Sequence, residues 1–420
     1  MLVEYPEYYN KFRCIADRCP DTCCAGWEVD LDEDAVSYYG IMPGPLGERI
    51  RACMKTEGEF CYFPLTKEGR CPFLDEKGLC EIILQAGDGS ICQTCREYPR
   101  YYVQAGSYEQ RDMSLSCPEV CRLVLDAPLP FRWIKEETDE SDYEESDLTP
   151  ERNRRLQEIL RERDLEIERL QGRIPVKATP AKAREQQDVP RERPADWYRS
   201  RQCTDQEAEE QKVSQYSAVR KIYTYSGDDR NLCVLLRKME PISKKWTALR
   251  DELVREMESA ASVSSENNGG GRDTAFGNAK KEGTGSFGES QSLRDSEENL
   301  LCLEGSCLDE WMTKIAVALT YRYWIDAWFT EDGDIASSRR LRDRLLRLTF
   351  LLCALRSRAI GAKTPGPEQA HSDIIFAGAA EGAALGSSFA RADLEEIARI
   401  ISREVEHDED NLALLKGICG

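Results

Sequence analysis

The placement of cysteine constrains this chain more than any other feature. Of 18 cysteines in 420 residues, 12 lie within the first 121 positions and six are scattered over the remainder. The opening stretch, MLVEYPEYYNKFRCIADRCP, carries Glu4, Glu7 and Asp17 and no apolar run, so it does not read as an export signal. The expected location is therefore cytoplasmic. Thiols stay reduced there, and a local crowd of cysteines points to metal ligation rather than a disulfide framework. Histidine is almost absent, and His371 and His407 are both remote in sequence. A metal centre near the N-terminus must then be built from thiolates, with carboxylates in reserve.

Thiolate sulfur is soft and selects zinc, copper(I) or iron–sulfur clusters over magnesium or calcium. The cysteines fall in Cys14-x4-Cys19-x3-Cys23-Cys24, Cys71-Pro72-Phe73-Leu74, Cys80-Glu81-Ile82, Cys92-x2-Cys95 and Cys117-x3-Cys121. Short spacings let one loop place two sulfurs on one ion. A closed zinc site and an iron–sulfur cluster each take four cysteines, and spacing alone does not separate them. Cys53 and Cys61 stand between the segments without matching partners and read as bystanders. Cys203, Cys233, Cys302, Cys307, Cys353 and Cys419 suit buried, small-apolar roles.

Charge narrows the partners. Lys plus Arg number 57 against 77 Asp plus Glu, a net charge of −20. Such a surface repels phosphate backbones, so no nucleic acid is expected, whereas a lysine-bearing protein is compatible. No membrane span is expected either. The longest apolar candidate, residues 345–355, is short and contains Arg347.

The fold expected is mainly α: an irregular cysteine-rich metal-binding domain over 1–125 and a helical C-terminal domain over 300–420, joined through disordered linkers. Residues 126–150 read as an acidic linker, with eight acidic residues between Glu136 and Asp147. A helical region follows over 151–258. It starts at Thr149-Pro150, with Leu156, Ile159, Leu160, Ile167 and Leu170 on one face and Arg163 interrupting the stripe. A Pro- and charge-rich insertion occupies 173–200, and 259–299 is Gly/Ser-rich and flexible. Gly269–Gly271 lack the flanking strand and helix of a phosphate loop. In the last 120 residues, Leu341, Leu345, Leu348, Leu352 and Leu355 step by four and three along one helix face, and Leu394, Ile397, Ile401 and Val405 predict another.

The motifs themselves resemble the flagellin lysine N-methylase family. Phe12-x-Cys14-Ile15, Cys19-Pro20-Asp21-Thr22-Cys23-Cys24-x-Gly26-Trp27 and Leu31-Asp32 look like its opening. Cys71-Pro72-Phe73-Leu74-Asp75, Leu79-Cys80-x-Ile82, Thr94-Cys95-x2-Tyr98-Pro99-Arg100 and Leu115-Ser116-Cys117-Pro118-Glu119 continue the match. Tyr321-Arg322-Tyr323-Trp324, Asp332-Gly333-Asp334 and Ser402–His407 with Asn411–Leu415 are similar to its C-terminal helices. The resemblance implies transfer of a methyl group from S-adenosylmethionine to lysine of flagellin or a similar protein, with a thiolate-held [4Fe–4S] cluster, zinc being the alternative. It implies Cys19, Cys23, Cys24, Cys71, Cys80 and Cys95 as metal ligands, with Cys14, Cys92 and Cys117 ranking below them. The non-catalytic alternative is a zinc- or iron-chelating binding module. No Gly-rich turn between strand and helix marks an S-adenosylmethionine pocket. Asp21, Asp32, Asp75, Tyr98 and Glu119 adjoin the motifs and could handle a lysine proton, although turn or cap roles suit each of them better.

Overall fold

The computed structural model describes residues 1–138, 149–173, 216–266, 293–331, 333–361 and 389–417. The chain opens with strand β1 (Leu2–Pro6), buried along nearly all its length. A strand covered on both faces belongs inside a sheet. β1 runs parallel to β6 (Tyr108–Met113) and antiparallel to β7 (Trp133–Glu137), and β5 (Arg100–Ala105) closes the order β5-β6-β1-β7. β7 thus takes up part of the stretch read as an acidic linker, and Glu136 lies opposite Val3 in the ladder. The rest of that run, 139–148, lies outside the described residues.

A second sheet, β2-β4-β3, pairs Val29–Leu31 and Lys55–Glu57 with the central Phe60–Phe63. Short helices surround it: Glu33–Ile41, Gly44–Cys53, Glu81–Ala86 and Gln93–Glu97. The first 125 residues are therefore more ordered than their loop-like sequence predicts. Their strands are short and escape periodicity.

The remainder is helical: Pro118–Asp126, Pro150–Leu170, Ser217–Tyr223, Asp229–Lys238, Lys244–Glu266, Leu293–Trp324, Ala336–Gly361, Arg391–Glu406 and Glu409–Lys416. The mainly α reading holds. Thr149 caps its helix as expected, accepting from Arg152 N. The Lys244–Glu266 helix runs eight residues into the stretch read as flexible, and a new helix begins at Leu293. Most of the Pro- and charge-rich insertion, from residue 174, lies outside the described residues.

Two principal cores result. The larger joins Val3, Tyr5, Tyr8, Tyr9 and Phe12 to Val120, Val124 and the long helices, including the whole Leu341–Leu355 seam. The smaller is confined to 29–95 and holds ten buried apolar residues, among them Tyr39, Ile50, Phe63 and Phe73. A satellite cluster around Leu156 and Trp328 backs the sheet. Arg163, which breaks the apolar stripe, is only 1% exposed. Its guanidinium donates to Glu4 Oε2 at 2.6 Å, Tyr108 Oη at 2.7 Å and Gln110 Oε1 at 2.9 Å, matching the carboxylate that the buried strand carries inward.

Candidate metal centre

Local turn chemistry gathers the cysteines. Asp32 caps the Glu33–Ile41 helix through Ala35 N at 2.9 Å, and its other oxygen accepts from Gln93 N at 2.6 Å, tying the Cys92–Cys95 turn to β2. Asp75 accepts from Lys77 N and Leu79 N at 2.8 Å each, a turn that returns the chain from Cys71 to Cys80. Cys71 N donates to Cys24 O at 2.8 Å. Asp32 and Asp75 are thus structural in place, and Glu119 pairs with Arg122.

Cys24, Cys71, Cys80, Cys92 and Cys95 consequently line one small cavity of about 20 Å³, walled by Phe63, Phe73 and Ile82. Burial raises the Cys71 thiol to about 12 and also raises Cys80, against backbone N–H donors from Ile83 and Ile82 to the Cys80 sulfur. Cys95 donates to Cys92, which holds Cys92 below the usual thiol range and pushes Cys95 up. The neighbouring pair behaves alike: a hydrogen bond from Cys23 draws Cys24 down to about 7 despite burial, with Thr22 and Arg70 assisting. Cys14 and Cys117 lie close enough to Cys23 of this pair to act on it electrostatically, and Cys19 feels Cys14 and acts on Cys117. Cys117 precedes the Pro118–Asp126 helix, and burial lifts it to about 11 although its sulfur accepts from Val120 N and Glu119 N.

The 14–24 loop is fastened to the helical part. Asp21 pairs with Arg399 and, at 3.1 Å, with Arg403, which also donates to Ala25 O. Gly26 sits at φ +87°, where an added Cβ would come within 2.9 Å of the Arg403 guanidinium, so the Cys-Cys-x-Gly-Trp motif needs glycine there. Trp27 Nε1 donates to Cys23 O at 2.8 Å, and its ring lies 5.2 Å from His407 and 5.9 Å from Tyr98. His407 is distant in sequence yet packs against Trp27 and Tyr98, which adjoin Cys23 and Cys117. Burial lowers its pKa, and its buried Nδ1 has no protein partner among the described residues. Behind Tyr98 runs a hydrogen-bonded chain through Ser116 and Ser114 to Glu406, which also meets Arg322 at 3.1 Å and Tyr323 at 3.2 Å. Asp112, close to Arg322 and accepting from Tyr101 at 2.7 Å, is pushed by burial up to about 6.

All nine predicted cysteines are therefore brought to one region. Cys53 and Cys61 pack against the smaller core, and Cys121 and Cys353 are buried apart. Cys233 is partly buried as expected, whereas Cys307 is exposed on its helix rather than buried; Cys203, Cys419 and His371 lie outside the described residues. Among the described residues no three Cys, His, Asp or Glu side chains already form a metal-holding group. The donor set nevertheless suits a soft metal: clustered sulfurs, backbone N–H groups aimed at several of them, and apolar walls. Each cysteine can swing its sulfur about a single χ1 bond. A cavity of about 490 Å³ opens elsewhere, among the helices, lined by Lys221, Tyr225, Arg340, Arg344 and Arg347, the last two paired with Asp228 and Asp229. No helix among the described residues is long and apolar enough to cross a membrane.

No family model matches the chain, and no solved structure does. Among curated proteins it is similar to the flagellar biosynthetic protein FliU of Salmonella muenchen, 29% identical over 134 residues that make up 30% of this chain and 79% of the relative. It is also 28% identical, over 134 residues, to the lysine-N-methylases of Salmonella typhimurium strain LT2 and Salmonella choleraesuis strain SC-B67. These matches span 30% of this chain and 33% of the two methylases. Together with the cysteine, Gly-Trp and Tyr-Pro motifs, these relatives make the chain similar, over 30% of its length, to proteins named lysine-N-methylase and to a flagellar biosynthetic protein.

Proposed function

We propose that this protein is a protein-lysine N-methyltransferase that draws its methyl group from S-adenosylmethionine, carries a thiolate-held [4Fe–4S] cluster and acts on flagellin or a similar protein. The observation that carries this reading is the meeting of Cys23 and Cys117 with Trp27, Tyr98 and His407 at one seam, in a chain similar to proteins named lysine-N-methylase. When bound, S-adenosylmethionine would supply an electrophilic methyl group, whose transfer to an amine is redox-neutral, and the thiolate-held cluster would fix the cysteine loops around the site. A lysine ε-amine attacks only after losing its proton, which requires a base or a desolvating surface. The half-buried seam offers both. Its aromatic faces attract an ammonium group while stripping water from it, and His407, kept neutral by burial, is available to accept the proton. Glu406, Arg403 and Arg322 face the imidazole and set its balance.

The test is anaerobically purified full-length protein incubated with methyl-labelled S-adenosylmethionine and flagellin, read by mass spectrometry for N-ε-methyllysine. Cys23→Ala should lose methyl transfer together with the metal that Cys23 helps hold. His407→Gln should lower turnover at least tenfold with metal content unchanged. Metal-loaded protein that leaves every flagellin lysine unmodified overturns the proposal. The apolar walls around Cys71 and Cys80 favour a second reading, a non-catalytic zinc- or iron-chelating module, whose signature is stoichiometric zinc without sulfide.

A further inference from the structure

We infer that the chain carries two separate thiolate centres, an inner one held by Cys71, Cys80, Cys92 and Cys95 and an outer one held by Cys14, Cys19, Cys23 and Cys117. The inference rests on reading the thiolates as metal ligands and does not depend on methyl transfer. One tetrahedral ion or one cubane cluster takes four thiolates, so nine gathered sulfurs exceed what a single centre can use. Their grouping is not uniform. Cys14 acts electrostatically on Cys19, Cys23 and Cys117, and Cys117 in turn acts on Cys23 and is acted on by Cys19. The inner four share one cavity with Cys24. Contact between the sets passes through Cys23, which bonds to Cys24 and reaches Cys95.

The two sets also belong to different parts of the fold. The inner sulfurs pack on the smaller core of residues 29–95. The outer ones hang from the larger core: Phe12 is buried in it just before Cys14, and Cys117 opens the Pro118–Asp126 helix that it contains. Asp21, between Cys19 and Cys23, is bound to Arg399 and Arg403. Exposure differs too. Cys14 and Cys23 face solvent, whereas Cys92 is buried and Cys71, Cys80 and Cys95 are partly so. A closed inner centre fits a structural role, and a half-open outer centre beside Trp27, Tyr98 and His407 is the one a substrate can approach. Both take a soft metal, as zinc or as iron with sulfide.

The experiment counts metal and acid-labile sulfide per chain in full-length protein reconstituted anaerobically, with circular dichroism as the check on folding. The variants are C14S/C117S and C71S/C80S. Two centres in the parent chain, and the loss of half the metal in each folded variant, bear the inference out. A parent chain with one centre, or a folded C14S/C117S chain that keeps all its metal or loses all of it, overturns it. Should C71S/C80S fail to fold, C14S/C117S decides alone. A chain with two centres that makes no methyllysine ends the methyltransferase reading and leaves this one standing.

Discussion

Single side chains hold the thiolate loop in place, and the chief of these is Asp21. Two guanidiniums from the Arg391–Glu406 helix converge on its carboxylate, so Asp21→Ala should loosen Cys19 and Cys23 while leaving both cores intact. The expected result is faster metal loss to a chelator, by roughly tenfold for a charge-assisted contact of about 1.5 kcal/mol, with an unchanged circular dichroism spectrum; equal release rates would show the bridge to be incidental. Asp112 makes a different argument. It is 2% exposed, and burial raises its pKa from 3.8 to about 6. An acid with a raised folded pKa contributes its stability below the unfolded value and loses it as pH rises from 3.8 through about 6. That interval corresponds to about 3 kcal/mol. Asp112→Asn keeps an acceptor for Tyr101 and should abolish this fall. Denaturant unfolding at pH 4.5 and 7.5 checks it: the parent should lose stability between the two relative to the variant, and parallel behaviour refutes the assignment.

Elements show which parts of the structure were legible in the sequence. The Ala336–Gly361 helix was, because Leu341, Leu345, Leu348, Leu352 and Leu355 repeat at the helical period and all five are buried. Leu348, fully buried, makes the point testable: Leu348→Ala should cost about 2–5 kcal/mol by opening a cavity among packed helices, read as a lower denaturation midpoint with the slope unchanged. A cost below about 1 kcal/mol would mean that the seam repacks. The strands were not legible. β2 and β3 are three residues each and β4 is four, too short for an alternating pattern to stand out. Nor was the site complete. The cysteines, Asp21 and Tyr98 could be named from motif spacing, but Arg399, Arg403 and His407 enter from a helix almost 400 residues away, and local spacing says nothing of that approach. Arg163 read as a flaw in its helix, because its partner Glu4 lies on a distant strand. The late Ser-Arg-Glu-Val-Glu-His run was the one signal that could have pointed there.

At the scale of the molecule, the two main cores differ in how far they can stand alone. The larger runs through every long helix and the four-stranded sheet. The smaller has ten buried apolar residues, and the thiolates line its floor. A core that size supplies little beyond the entropy lost in ordering its loops, and the metal proposed above would contribute the difference. Removing the metal should therefore unfold 29–95 first and leave the helical body standing. Heating the metal-loaded chain should give one cooperative transition or two close ones, and the chelated chain should give a lower, smaller transition well separated from the main one. Limited proteolysis of the chelated chain should cut within 29–95, while most of the helical circular dichroism survives. The seam should respond as well, because Trp27 links the small unit to His407 and Asp21 links it to Arg399 and Arg403. Tryptophan emission at that junction should shift to the red on chelation, and Trp27→Phe should remove the shift. If chelation leaves the melting profile and the cleavage pattern unchanged, the thiolates do not hold the small core together, and its stability must come from the Asp32 and Asp75 turns and the β2-β4-β3 ladder alone.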